Sequence, residues 1–281
     1  MANINDEKSY HAHVVRKKII RYIVLILLAI ICLFPLYVML INSSHKHEEI
    51  AKGLLVLPGS WFGKNLVNTL KDPSIPILRG LLNSVIISAC CAGLTTYAST
   101  LTAYAVHAYD FRGRRAVMMI PTQVTALGFY DLMKTFGLLD NYIPLIVPTI
   151  AAPVVYFFML QYMQGSLPLE IVEAARIDGS NEFKTFNSIV LPIMKPAIAV
   201  QAIFAFVSNW NNYFTPNLII RSQKLFTLPI VIAKLRAADF TSFDNGKIYM
   251  AMVLSILPVV VVYLILSRYI IQGVAVGSVK G

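Results

Sequence analysis

Six apolar stretches separated by polar segments constrain this chain more than any other feature. Residues 22–44, 81–109, 141–169, 196–220 and 248–267 contain no Asp, Glu, Lys or Arg. Each reaches the roughly 20 residues that a helix needs to cross the hydrocarbon core of a bilayer. A sixth stretch, 116–130, is shorter, so it must extend past Asp131 and Lys134 to about Phe136 or tilt less than its neighbours. Because lipid offers backbone groups no hydrogen-bond partners, spans of this kind are helices. The expected fold is therefore an all-α polytopic membrane protein with six transmembrane helices. A composition 57% hydrophobic and 14% charged is too apolar for a soluble globular domain.

About 20 polar residues precede the first stretch and no small-residue cleavage site follows it, which reads as a retained span and not a removed signal peptide. Arg16, Lys17, Lys18 and Arg21 border that span, and Arg112, Arg114 and Arg115 crowd the 110–118 loop. By the positive-inside tendency the N-terminus lies in the cytoplasm, and six spans return the C-terminus there. The chain then divides into a cytoplasmic N-terminal segment 1–21, a six-span domain 22–270 containing a cytoplasmic loop 168–192, and a cytoplasmic tail 271–281. Segments 45–79 and 221–247 face outward, with a short helix expected after Pro229. The net charge of +10 is a membrane-surface bias without the basic-aromatic pattern of nucleic-acid binding. Cys32, Cys90 and Cys91 all fall in spans and read as small apolar residues.

The 168–192 loop is the most structured polar segment. Pro168 suits a first helical position, and Glu170 and Glu173 lie near the positive end of the dipole of the helix that follows. Asp178-Gly179 closes that helix, since glycine accepts the left-handed backbone of a helix end. Ser180 is then the expected N-cap of a second helix, with Glu182 in its first turn. Phe183, Phe186, Ile189 and Val190 form one apolar stripe there, with Lys184, Thr185, Asn187 and Ser188 on a polar face. Pro192 and Pro196 are expected to break the hydrogen-bond ladder as the chain re-enters the membrane. Amphipathicity alone fits an interfacial helix lying on the bilayer equally well.

The run Glu173-Ala174-Ala175, Asp178-Gly179, Phe183, Phe186, Ile189, Leu191-Pro192 and Pro196 resembles the cytoplasmic signature of permease subunits of binding-protein-dependent ABC importers, above all the sugar importers of the maltose type. Asn83-Ser84, Phe136-Gly137-Leu138-Leu139, Trp210-Asn211, Thr227-Leu228-Pro229 and the ending Gly277-Ser278-Val279-Lys280-Gly281 extend the resemblance, the last being most like the smaller of the two maltose-type permeases. The resemblance implies a type I importer permease forming half of a carbohydrate pathway in the cytoplasmic (inner) membrane. Its implied partners are a second permease, two ATP-binding subunits and an extracytoplasmic solute-binding protein. It also implies that Glu173, Ala174, Ala175, Asp178, Gly179, Phe183, Phe186, Leu191 and Pro192 engage an ATP-binding subunit, and that Gly277, Ser278, Lys280 and Gly281 reach between the two ATP-binding subunits. A frayed terminus is the other reading of that glycine-rich tail.

No phosphate-binding G-x-x-x-x-G-K-[ST] loop occurs, so the chain is expected to be non-catalytic, without a cofactor of its own, with ATP and Mg²⁺ on partner subunits. His11-x-His13 and His45-x-His47 lack a second ligand pair and read as solvated loop, with no metal site. Trp210, Asn211, Asn212 and Tyr213 combine rings and amides in the way sugar sites do, and equally resemble an interfacial aromatic belt. An importer for a non-sugar solute and a secondary transporter are the rival functions. The latter normally places ionisable groups inside its spans, and five of the six here hold none.

Overall fold

The computed structural model describes residues 3–73, 76–109, 126–237 and 244–277, and every regular element among them is helical. Five helical segments are long and apolar enough to cross a membrane: Val14–Asn42, Ile77–Ala108, Ile143–Ser166, Glu182–Trp210 and Asn245–Tyr269. Of the expected span at 116–136, residues 116–125 lie outside the described residues; the described part is helical over Ala126–Thr135.

One unit comprises residues 1–71 and 239–253. Its helix α1 (Asn3–Asn42) runs unbroken from the polar N-terminal segment into the first span, so the expected boundary at residue 21 is not a structural one. None of the apolar window of α1 is buried, which leaves an apolar surface on every side, suited to lipid. The chain leaving α1 is tied down by Asn65, on α2 (Phe62–Lys71), whose Nδ2 donates to the carbonyls of Ser43 at 2.9 Å and His45 at 2.8 Å. Gly246 abuts the same Asn65: a Cβ there would stand 2.8 Å from its Nδ2. His45 is no solvated loop residue, because its ring bonds Glu49 at 2.8 Å and the Leu57 carbonyl at 2.9 Å. Among the described residues no cluster of His, Cys, Asp and Glu could hold a metal.

The other unit comprises residues 72–238 and 254–281. At its centre is α3 (Ile77–Ala108), whose buried stripe is built of small residues: Ser84, Ser88, Cys91, Ala92, Thr95, Thr96, Ser99, Thr100 and Ala103. Small side chains let helices approach closely where lipid supplies no hydrophobic drive between them. The described end of the third stretch is α4 (Ala126–Thr135). In the fourth stretch prolines cut the helix into a turn at Ile143–Ile146, a 3₁₀ turn at Val147–Ile150 and α5 (Pro153–Ser166). The short helix α6 (Leu169–Ile177) follows, and α7 (Leu191–Trp210) is the fifth span. Ala103 and Tyr104 of α3, Met159, Leu160 and Met163 of α5, Val172 of α6, and Phe186, Val190 and Met194 form one buried core.

Beyond α7 come α8 (Phe214–Ile219) and α9 (Leu228–Arg236), the latter fulfilling the helix expected after Pro229 to within a residue. The fifth span ends at Trp210, ten residues before the expected limit at Ile220, because Asn211, Asn212 and Tyr213 break the helix. The final helix α10 (Asn245–Gly277) carries helical backbone through 272–277, where an irregular tail was expected. Once a long helix is nucleated, extending it is inexpensive even through glycine. Ser278, Lys280 and Gly281 lie outside the described residues.

Candidate functional site

The 168–192 loop is held from behind and bare in front. Pro168 is the N-cap of α6, one position before the helix proper, not its first residue. Val172 and Ala175, three apart and so on one face, turn into the core at 1% and 6% exposure. Glu173, Ala174, Asp178 and Gly179 are exposed. Gly179 has φ +74°. Its N–H donates to the Arg176 carbonyl at 3.0 Å while Ser180 N–H donates to that of Ala175 at 2.9 Å, the paired closure of a helix by a left-handed glycine.

Ser180 is consumed by that closure, so the N-cap of the next turn is Asn181, whose Oδ1 accepts from Lys184 N–H at 2.8 Å. The stripe expected on the second helix divides. Phe186 is fully buried between Tyr97 and Tyr104 of α3, with ring centroids 5.6 and 5.7 Å away, and Val190 is buried beside it. Phe183 is 69% exposed. It lies one turn nearer the N-terminus, toward which helical side chains lean, and so projects away from the core. Thr185, placed by sequence on the polar face, is buried, and its hydroxyl donates to Ser180 Oγ at 3.0 Å.

Nor do Pro192 and Pro196 stop the helix. A π turn at Phe186–Val190 widens the backbone before Pro192, and α7 continues through Pro196. A widened turn absorbs the missing proline N–H with no break in the helix. Leu191 is half-buried and Pro192 exposed.

An electrostatic brace fixes the loop to the end of α3. Arg176 Nε donates to Glu182 Oε1 at 2.8 Å, Tyr104 OH donates to Glu182 Oε2 at 2.6 Å, and the Arg176 guanidinium stands 5.0 Å from the Tyr109 ring centroid. The Glu182 carboxylate on its guanidinium raises the Arg176 pKa further, so the charge is permanent. His107 Nε2 adds a bond to the Leu167 carbonyl at 3.0 Å. Beside the exposed Glu173 and Asp178 stand two exposed large apolar side chains, Ile177 at 86% and Phe183 at 69%, either side of the glycine turn. The result is a short, stiff projection with two greasy tips.

At the far end of α7 the residues read as a pathway separate. Trp210 is buried and stacked on Phe206, centroids 5.7 Å apart and planes 13° from parallel. It lines a cavity of about 270 Å³ together with Asn211, Tyr213 and Arg236. Asn212 lines a different cavity of about 410 Å³, and its Oδ1 accepts from Thr215 N–H at 3.2 Å.

The sequence pattern of the family described as Binding-protein-dependent transport system inner membrane component matches residues 115–276, which include the whole projection. The Arabinooligosaccharides transport system permease protein AraQ of Bacillus subtilis (strain 168) is 32% identical over 268 residues, covering 91% of this chain and 93% of that protein. The chain belongs to this family. The Trehalose/maltose transport system permease protein MalG of Thermococcus litoralis is 31% identical over 277 residues, covering 95% of this inner membrane component and 98% of that one. A chain of the crystal structure of a bacterial ABC transporter involved in the import of the acidic polysaccharide alginate has the same fold, with a TM-score of 0.77 at 21% identity over 90% of this chain and 95% of that chain.

The smaller motifs of the inner membrane component act as clamps. Asn83 Nδ2 donates to the carbonyls of Lys224 at 3.0 Å and Phe226 at 2.9 Å, and Ser84 Oγ accepts from Leu228 N–H at 2.8 Å, so Asn83-Ser84 pins Thr227-Leu228-Pro229. After Phe136-Gly137-Leu138-Leu139, Asp140 adopts φ +57° and its Oδ1 accepts from the N–H groups of Arg221 at 2.9 Å and Ser222 at 2.8 Å. Bonds from Ser222 lower the Asp140 pKa. Sequence reasoning missed Arg176, Ile177, Glu182, Tyr104 and His107. Opposite charges six residues apart across a glycine turn were a usable signal for Arg176 and Glu182, whereas Tyr104 and His107 are too distant in sequence to betray the contact.

Proposed function

We propose that this inner membrane component is the permease subunit of an ATP-driven carbohydrate importer, forming half of the translocation pathway and coupled to an ATP-binding subunit through loop 173–192. One observation carries the coupling: a loop locked to the core by Val172, Ala175 and Phe186 presents Ile177 and Phe183 to the outside of the molecule. Exposed apolar side chains mark a surface that docks on a partner or a membrane, and the stiffness of the loop favours a partner, because a flexible loop would absorb the force a partner applies. Inverting a two-state transporter from 1:99 to 99:1 takes about 5.5 kcal/mol of differential interaction, which a stiff contact can deliver. Carbohydrate as the cargo is supported by the arabinooligosaccharide and trehalose/maltose systems of the relatives.

On this reading a second permease completes the pathway, two ATP-binding subunits with ATP and Mg²⁺ dock on the cytoplasmic side, and a binding protein delivers solute from outside. The chain sits in the cytoplasmic membrane with six spans and both termini inside. Glu173, Ala174, Asp178, Gly179 and Phe183 contact the ATP-binding subunit, while Ala175, Phe186, Leu191 and Pro192 hold the loop to its span. Gly277, Ser278, Lys280 and Gly281 reach toward the ATP-binding pair. Trp210, Asn211, Asn212 and Tyr213 border the pathway.

Uptake of labelled saccharides by cells carrying the complete importer tests the reading. With ATP depleted and the proton gradient intact, uptake should stop. Persistent uptake would mark a secondary transporter, and ATP-dependent uptake of a non-saccharide alone would remove the carbohydrate assignment.

A further inference from the structure

The cavity of about 410 Å³ that Asn212 borders is walled by α3, the Pro144–Thr149 segment, the end of α7 and the Thr227 turn. Its size falls in the range of small-molecule sites, about 300–1,000 Å³. Two hydroxyls in its wall are buried and unbonded. Ser88 is 0% exposed and Thr227 is 3% exposed, and among the described residues neither Ser88 Oγ nor Thr227 Oγ1 has a hydrogen-bond partner.

Both depart from what their positions usually do. A hydroxyl inside a helix commonly donates back to the carbonyl four residues earlier. Thr96, Thr100 and Thr102 of the same helix do so, at 2.7, 2.6 and 2.8 Å. Ser88 does not. Thr227 is the N-cap of α9, where a threonine hydroxyl ordinarily accepts from the helix's first N–H groups, yet it makes no such bond. Its neighbour Leu228 N–H is instead taken by Ser84 Oγ. Leaving two buried hydroxyls unmet is costly unless something else meets them.

The rest of the wall indicates what that is. Asn209 and Asn212 add amides, Phe129 and Phe214 add rings, and among the described residues no Asp, Glu, Lys or Arg lines the cavity. Hydroxyls and amides beside apolar faces match the alternating polar rim and apolar face of a sugar ring. An anionic solute would lose its hydration here with no counter-charge in return.

We infer that this chain carries a subsite for an uncharged saccharide, with Ser88 and Thr227 as its hydrogen-bonding hydroxyls. The inference rests on the proposed carbohydrate reading and narrows it to neutral cargo. Ser99 supplies an internal control: its hydroxyl is likewise buried and unbonded, at 2% exposure, but it does not border the cavity.

The test uses cells carrying the complete importer with saturating binding protein. Tritiated maltose, lactose, arabinobiose and diacetylchitobiose are the neutral probes and an alginate disaccharide is the acidic one. Ser88→Ala and Thr227→Val should each lower the maximal ATP-dependent uptake of a neutral probe, per assembled complex, by roughly threefold to tenfold, the value of one net hydrogen bond. Ser99→Ala should leave it unchanged. For a monodeoxy analogue lacking the contacted hydroxyl, the penalty of one variant should disappear. Wild-type rates in both variants, an equal loss in Ser99→Ala, or uptake of the acidic probe alone would overturn the subsite. Failure of every probe to enter with ATP would overturn the carbohydrate reading beneath it.

Discussion

Replacing both Ile177 and Phe183 by serine should detach the ATP-binding subunit without unsettling this chain. The two side chains are 86% and 69% exposed, so in the isolated molecule they contribute almost nothing to folding. Full burial of such a side chain is worth about 1.5–3 kcal/mol, and scaling by exposure gives about 2.3–4.7 kcal/mol for the pair. At about 1.4 kcal/mol per decade, association should weaken by roughly 40-fold to 2,000-fold. The assay is titration of purified ATP-binding subunit onto the detergent-solubilised permease pair, with thermal unfolding of each variant measured alongside. Phe186→Ala is the contrasting change: Phe186 is fully buried, and its loss should cost about 3–5 kcal/mol of stability. Undiminished association of the double variant would refute the docking argument. So would a fall in its melting temperature as large as that of Phe186→Ala.

Gly179→Val should uncouple ATP turnover from uptake, because a left-handed backbone costs an ordinary residue about 1–2 kcal/mol, whereas Gly179→Asn should stay near wild type. A Cβ at Gly179 would meet nothing within 4 Å, so equal loss in both variants, seen as ATP hydrolysed per solute imported, would show that crowding and not backbone conformation governs the turn. Arg176→Gln should cost less than about 1 kcal/mol of stability, as exposed ion pairs do, yet raise amide hydrogen exchange across residues 169–183; unchanged exchange would leave the brace without a role. In the His45–Trp61 segment the Leu57 carbonyl and Glu49 raise the His45 pKa above 6.5, so its contribution to stability is complete below about pH 6.5 and fades as pH rises through the raised value. Bonding to His45 lowers the Glu49 pKa below 4.5, so its share is complete above that pH and is lost on acidification. Hydrogen exchange of residues 45–61 should therefore be slowest between about pH 4.5 and 6.5 after correction for the intrinsic rate; a minimum at pH 8 would contradict the pairing.

Five of the six expected spans were legible because apolar runs long enough for a bilayer have few other uses, and the glycine turn because Asp178-Gly179 admits few backbones. Details of the loop were not. Ser180 and Asn181 are both good caps, and only the closure at Gly179, which takes the Ser180 N–H, decides between them. Phe183 and Phe186 differ little in sequence, but Tyr97 and Tyr104 of α3 grip one and not the other, a contact across more than 80 residues that periodicity does not encode. The π turn before Pro192 shows the same limit: a proline forecasts a lost hydrogen bond, not how the backbone accommodates it. Trp210 and Asn212 were read as one site because they are two residues apart, yet the helix ends between them and they border different cavities.

The central claim is that an ATP-binding subunit grips the projection formed by α6 and the turn after it. A cysteine in place of the exposed Ala174, in an otherwise complete importer, tests this with a short thiol cross-linker. The account predicts a covalent product with the ATP-binding subunit whose yield differs between the nucleotide-free and ATP-bound states. An importer that transports at full rate and yields no such product in either state would contradict it.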